Sequence, residues 1–160
     1  MKPVWLTVED VAGLHDEALA EFGGAGGIRD AARLENALAK PQNLLAYGGR
    51  PNLFDLAAAY CIGIAKNHPF IDGNERTAFL TAAVFLDING CAIDPPEAEV
   101  VEKLLQAAEG TLDRKGLAAW LESCARKIKL GPALLSILLL SATAARPLEL
   151  AIKFVVAHAR

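Results

Sequence analysis

The chain has 160 residues, 53% of them hydrophobic, and a formal net charge of −3. That length suits one domain able to bury roughly two-thirds of its unfolded surface with no disulfide or metal staple. The acidic balance removes the electrostatic basis for non-specific nucleic-acid binding, and richness in Ala and Leu favours helix over strand, an all-α fold class.

Thr7 and Asp10 have capping-box spacing ahead of VAGLHDEALAEF, in which Val11, Leu14, Ala18, Leu19 and Phe22 recur at helical spacing. His15 on this helix reads as structural. Gly23-Gly24 and Gly26-Gly27 stop the helix and predict a flexible loop. Asp30 is placed to cap a second helix, DAARLENALAK, which Pro41 is expected to end. After the turn-rich LLAYGGRPN, Leu53 to Lys66 reads as a helix apolar nearly all round, the kind that sits in the middle of a bundle. A polar break follows, then a helix from Glu75 to Asn89 with Phe79, Ala82, Ala83 and Leu86 on one stripe and Gly90 as its C′ residue. Pro95-Pro96 lead into EAEVVEKLLQAAE. A last helix is expected over Asp113 to Ile128, with Leu117, Trp120, Leu121 and Cys124 inward. No segment alternates with period two for long enough to demand a strand.

This pattern divides the chain into a helical domain over 1–128 and an apolar extension over 129–160. The extension opens with LGPALLSILLLSATAA, an uncharged run of 16 residues, short of the ~20 that span a bilayer as a helix. It is expected to be helical and packed on the domain or on an oligomer partner, with a membrane-associated segment as an alternative. Cys61, Cys91 and Cys124 are far apart and form no CxxC pair, the usage of reduced thiols. MKPVWLTVED has no apolar signal core, so a cytoplasmic location is expected.

The polar break, HPFIDGNER at residues 68–76, carries the chemistry. Pro69 disfavours helical geometry at His68, so one helix ends there and another begins near Asn74. The first N–H groups of the new helix lack intrahelical partners and carry the positive end of its dipole. A loop feeding such an end, with Gly73 allowing close backbone approach, is an anion site suited to phosphate. Arg76 supplies a cation, Asp72 a carboxylate of the kind that holds Mg²⁺ beside substrate phosphates, and His68 an imidazole able to take a proton near neutral pH. Together these parts describe phosphoryl or nucleotidyl transfer to an alcohol. Taken singly, each is ordinary turn or cap chemistry.

Residues 68–76 resemble the signature of the Fic/Doc superfamily, HxFx(D/E)GNGRxxR, and most nearly its Doc (death-on-curing) branch, HxFxDxNKR. LHDEALAEFGGAGGIRDAARLENALA, residues 14–39, is similar to the segment near the Doc N-terminus. The resemblance implies a Fic/Doc-like helical bundle in which His68 is the base, Phe70 the buried anchor and Asp72 the magnesium-associated acid. It further implies phosphate binding by the Gly73-Asn74 turn and by Arg76. Lys66 falls where Doc has a basic residue, which implies a further phosphate contact; it reads equally as a helix-end lysine complementing the dipole.

Two departures bear on activity. Phe79 stands where the second Fic arginine would fall, which is the Doc pattern and implies phosphate transfer from ATP with Mg²⁺. The implied acceptor is a hydroxyl of a translation factor, elongation factor Tu by resemblance. Glu75 stands where Doc has lysine and Fic proteins glycine. It keeps open AMP transfer, or an inactive Fic-fold binding module, as alternatives. Glu35 and Glu109 lack the Ser or Thr four residues earlier that a built-in inhibitory motif needs, which implies control by a separate Phd-like antitoxin. An internal mimic of that antitoxin is the remaining reading of residues 129–160.

Overall fold

The computed structural model describes residues 2–127. Six helices form the body: α1 (Val8–Phe22), α2 (Ala31–Tyr47), α3 (Leu53–Asn67), α4 (Asn74–Ile88), α5 (Glu97–Glu109) and α6 (Arg114–Ser123). Their starts follow the sequence closely. Thr7 and Asp10 form a reciprocal capping box on α1, Asn52 and Asp55 do the same on α3, and Asp30 and Asp113 cap α2 and α6.

Helix α3 is the axis of the bundle, packing against α2, α4, α5 and α6. Its run from Leu56 to Cys61 is buried without a break, as are Ile64 and Ala65. A helix apolar on every face has only that place available in water. Tyr60 and Phe85 meet across α3 and α4 at 5.1 Å between centroids, and Trp5 stacks on Phe85 at 5.8 Å. These contacts tie the N-terminal arm to the core.

Two sequence expectations are corrected. Pro41 lies inside α2, which continues to Tyr47. A proline there leaves the carbonyl four residues back, that of Ala37, without its helical donor. Gly63 of α3 faces this carbonyl, and a Cβ on Gly63 would stand 3.1 Å from it. The gap in the ladder thus coincides with a close crossing of helices, and burial of Pro41 holds the continued helix in place. The last helix also ends early: α6 stops at Ser123, and Ala125–Lys127 (β2) pairs antiparallel with Cys91–Ile93 (β1). Three-residue strands are too short to register as alternation. Phe22, at helical spacing from the buried Val11, Leu14 and Ala18, is 54% exposed.

No helix of the described residues is long and apolar enough to cross a membrane. The expected extension over 129–160 lies outside the described residues.

Candidate active site

The polar break folds as a six-residue loop between α3 and α4, held from three sides. At its start, Asn67 is clamped to α2. Its Nδ2 donates to the Arg33 carbonyl (3.1 Å), its Oδ1 accepts from Lys40 Nζ (3.3 Å), and its carbonyl accepts from Arg33 Nη1 (3.3 Å). His68 follows as the C-cap of α3, with φ 45 and ψ 57, the one non-glycine residue at positive φ among those described. A left-handed histidine is strained and persists only where neighbours hold it. The Asn67 clamp and the following Pro69 do so. The His68 ring is half-buried.

In the middle, an extended strip from the glycine loop lies alongside. The Pro69 carbonyl accepts from the amides of Arg29 (2.7 Å) and Asp30 (3.1 Å), and the Ile71 amide donates to Gly27 (3.1 Å). Phe70 is fully buried, as an anchor should be. At the loop's end, Asn74 folds back with both ends of its side chain on Phe70: Oδ1 accepts from the Phe70 amide (2.9 Å) and Nδ2 donates to its carbonyl (3.0 Å). The Asn74 side chain is therefore committed to closing the loop. What this residue leaves for a ligand is its backbone N–H.

That N–H belongs to an uncapped helix end. Gly73 is the N-cap of α4 in the left-handed conformation (φ 70), and no side chain caps the first turn. The first amides of α4 carry partial positive charge without intrahelical acceptors. Glu75, half-exposed, sits in this turn. Arg76 reaches across to α1, donating from Nη1 to the Gly23 carbonyl (3.4 Å), with its guanidinium carbon 4.7 Å from the centre of the Phe22 ring.

The exposed Asp72 carboxylate lies on the same side. Its Oδ1 accepts from the Gly73 amide (2.7 Å) and its Oδ2 from the Ala25 amide (3.3 Å). Those two bonds, Gly73 first, hold its carboxyl below the ordinary carboxylate range, with help from Arg76 and His15. Gly24 makes room for it. At φ +129, a Cβ there would meet Asp72 Oδ2 at 2.7 Å and Leu19 at 2.8 Å, which explains a glycine where the sequence suggested only flexibility.

Of the residues expected in the site, Asp72, Gly73, Glu75 and Arg76 share the N-terminal end of α4, and His68 stands at the other end of the same loop. Lys66 is exposed on the last turn of α3. Its ammonium stands 3.5 Å from where a Gly110 Cβ would be, at the C-terminal end of α5, where a cation complements the helix dipole. It also faces Lys40, whose pKa is lowered by burial first and by Lys66 second. Sequence reasoning missed Asn67, Arg29, Arg33 and the contribution of the glycine loop. Only their pairing across the fold reveals them.

The comparison with protein families covers this same region. A family model described as Fic/DOC family matches residues 5–86. The chain is similar to the protein kinase doc of Escherichia phage P1, at 32% identity over 114 residues, 71% of this chain and 89% of that protein. It is also similar to the toxin Doc of Mycolicibacterium smegmatis, at 46% identity over 71 residues, 43% of this chain and 54% of that protein. With a matched stretch running from the approach to α1 into α4 and taking in the whole loop, the chain belongs to the Fic/DOC family.

Proposed function

We propose that this chain is a Doc-like toxin of a toxin–antitoxin pair, transferring the terminal phosphate of ATP to a serine or threonine hydroxyl of a translation factor. Elongation factor Tu is the target to which the resemblance points, and a Phd-like antitoxin the controlling partner. The observation that carries the reading is the uncapped start of α4, flanked by an ionised carboxylate and a guanidinium, at the end of a loop that opens with a strained histidine. The relatives named a kinase and a toxin support it.

In this reading the amides of Asn74 and Glu75 and the Arg76 side chain bind phosphate oxygens, positioning the nucleotide and offsetting its charge. His68 accepts the proton of the target hydroxyl as the oxygen–phosphorus bond forms; the bond from the terminal phosphorus to the bridging oxygen breaks, and ADP leaves with that electron pair. Asp72 fits a Mg²⁺ role. It is exposed and ionised, and each oxygen, having accepted one amide, keeps a free lone pair. Mg²⁺ requires only one or two carboxylates when phosphates supply further ligands, which suits the absence of any group of three or more metal-ligating side chains among the described residues. When bound, the ion would neutralise phosphate charge.

A second reading has one observation in its favour. Glu75 puts a carboxylate in the first turn of α4, where phosphates are to sit. That favours a catalytically silent module that binds a partner without turnover. Incubating a translation extract with protein and ATP, then measuring intact masses, separates the readings. Addition of a phosphate, lost in His68→Ala, supports the transferase. Addition of AMP points instead to nucleotidyl transfer, and no addition together with growth arrest that survives His68→Ala points to the silent module.

A further inference from the structure

His15, on α1 and 53 residues before the base, makes more of the loop's geometry than a core histidine needs to. It is 2% exposed. Its ring lies flat on Phe70, with centroids 4.0 Å apart and planes 8° from parallel. Its Nε2 stands 3.0 Å from the Asp72 carbonyl oxygen. A carbonyl can only accept, so Nε2 carries the hydrogen and donates. The other nitrogen, Nδ1, lies 3.6 Å from Oδ1 of the exposed Asp16. The imidazole edge also runs along Gly73, where a Cβ would come within 4.0 Å of both Cδ2 and Nε2.

We propose that His15 is a positioning residue for the transfer reaction, gripping the loop through the Phe70 ring and the Asp72 carbonyl so that the Asp72 carboxylate and the first amides of α4 face the nucleotide together. The two grips do different things. Stacking sets how deep the loop sits against α1, and the hydrogen bond sets the rotation of the peptide that joins Asp72 to the α4 N-cap. Freed of that bond, the Asp72–Gly73 peptide can turn, and the carboxylate leaves the Gly73 and Ala25 amides that hold it. A shift of about 1 Å at such a site costs on the order of a hundredfold in rate.

The inference rests on the transferase reading for its effect on rate, but its geometric half can be tested without turnover. His15→Phe keeps the stack and drops the donor, whereas His15→Gln drops the stack and can place an amide N–H where Nε2 was. In the folded protein, backbone NMR of Ala25 and Gly73 reports the two bonds to the Asp72 carboxylate. We expect both amide signals to move in His15→Phe and to return close to their wild-type positions in His15→Gln, with signals of the Tyr60 and Phe85 core unchanged. Where wild-type protein transfers phosphate, kcat should fall at least tenfold in His15→Phe and stay within about threefold in His15→Gln, with the Mg²⁺ concentration for half-maximal rate raised only in the former. Unmoved Ala25 and Gly73 signals in His15→Phe, or equal loss in both variants, would overturn the proposal. Should wild-type protein transfer nothing, the functional reading fails while the amide signals still decide the role of His15.

Discussion

Glu75 is the acidic residue in the first turn of α4, at the end where the proposed function places phosphates. Its carboxylate is stabilised by the α4 dipole by a few tenths to about 1 kcal/mol, which accounts for a glutamate in a first helical turn. Beside a polyphosphate the sign reverses: a like charge at ~4 Å costs on the order of several kcal/mol at an effective dielectric near 20. If a nucleotide binds there as proposed, the second effect is the larger. Glu75→Lys is therefore expected to tighten ATP binding and raise transfer, read by calorimetric titration and by phosphate incorporation. Unchanged affinity and rate would mean that the side chain points away from the phosphates. The local geometry of the loop was legible in sequence because each residue has its own reason to be where it is: proline after His68, glycine at the N-cap, arginine in the first turn of α4. Asn74 was legible only as part of a turn. Its side chain closes the loop on Phe70 rather than facing outward, a role that depends on a partner four residues away and on burial that no local pattern announces.

At the scale of elements, the site is a junction whose two helices are fixed by close packing. The α2–α3 crossing is the tightest test of this. Gly63 meets the Ala37 carbonyl that Pro41 deprives of its donor, and a Cβ would stand 3.1 Å from that backbone oxygen and 3.2 Å from Lys40 Cδ. Gly63→Ala is thus expected to push α2 and α3 apart and destabilise the fold by about 1–3 kcal/mol, measured by urea unfolding. Because Arg33 and Lys40 on α2 hold Asn67, the same variant should also loosen His68. A variant as stable as wild type would show that the crossing has slack. Helix starts were readable because caps are local, and Thr7, Asp30, Asn52 and Asp113 each sit where the backbone needs an acceptor. Helix ends were less so. Pro41 breaks one hydrogen bond but is overridden by burial, and α6 yields to a ribbon whose partner, Cys91–Ile93, is over thirty residues away in sequence (about ten turns of helix at 3.6 residues each).

For the whole molecule, the buried centre of α3 makes the fold sensitive to alkali. Burial pushes the Tyr60 hydroxyl up to about 12 from 10.0 and the Cys61 thiol up to about 12 from 9.0. Both groups are neutral when protonated, so raised native pKa values mean that the unfolded chain loses its protons first. Their stabilising contribution is intact below pH 9 and is lost progressively as pH rises toward about 12. The urea midpoint should be lower at pH 11 than at pH 8, and a midpoint that stays level would contradict the burial of these groups. The all-α class was legible from composition and from α3, whose lack of a polar face admits only a central position. The grip of α1 and the glycine loop on residues 68–73 was not, because it is made by the His15 side chain and by backbone groups of residues far apart in the chain. In the proposed function, the start of α4, Asp72 and Arg76 hold a nucleotide with its terminal phosphate toward His68. A crystal structure with Mg²⁺ and a non-hydrolysable ATP analogue tests it most directly. Phosphates are expected on the amides of Asn74 and Glu75, with the terminal one nearest the His68 ring; a nucleotide lying elsewhere, or its first phosphate nearest that ring, would rule this arrangement out.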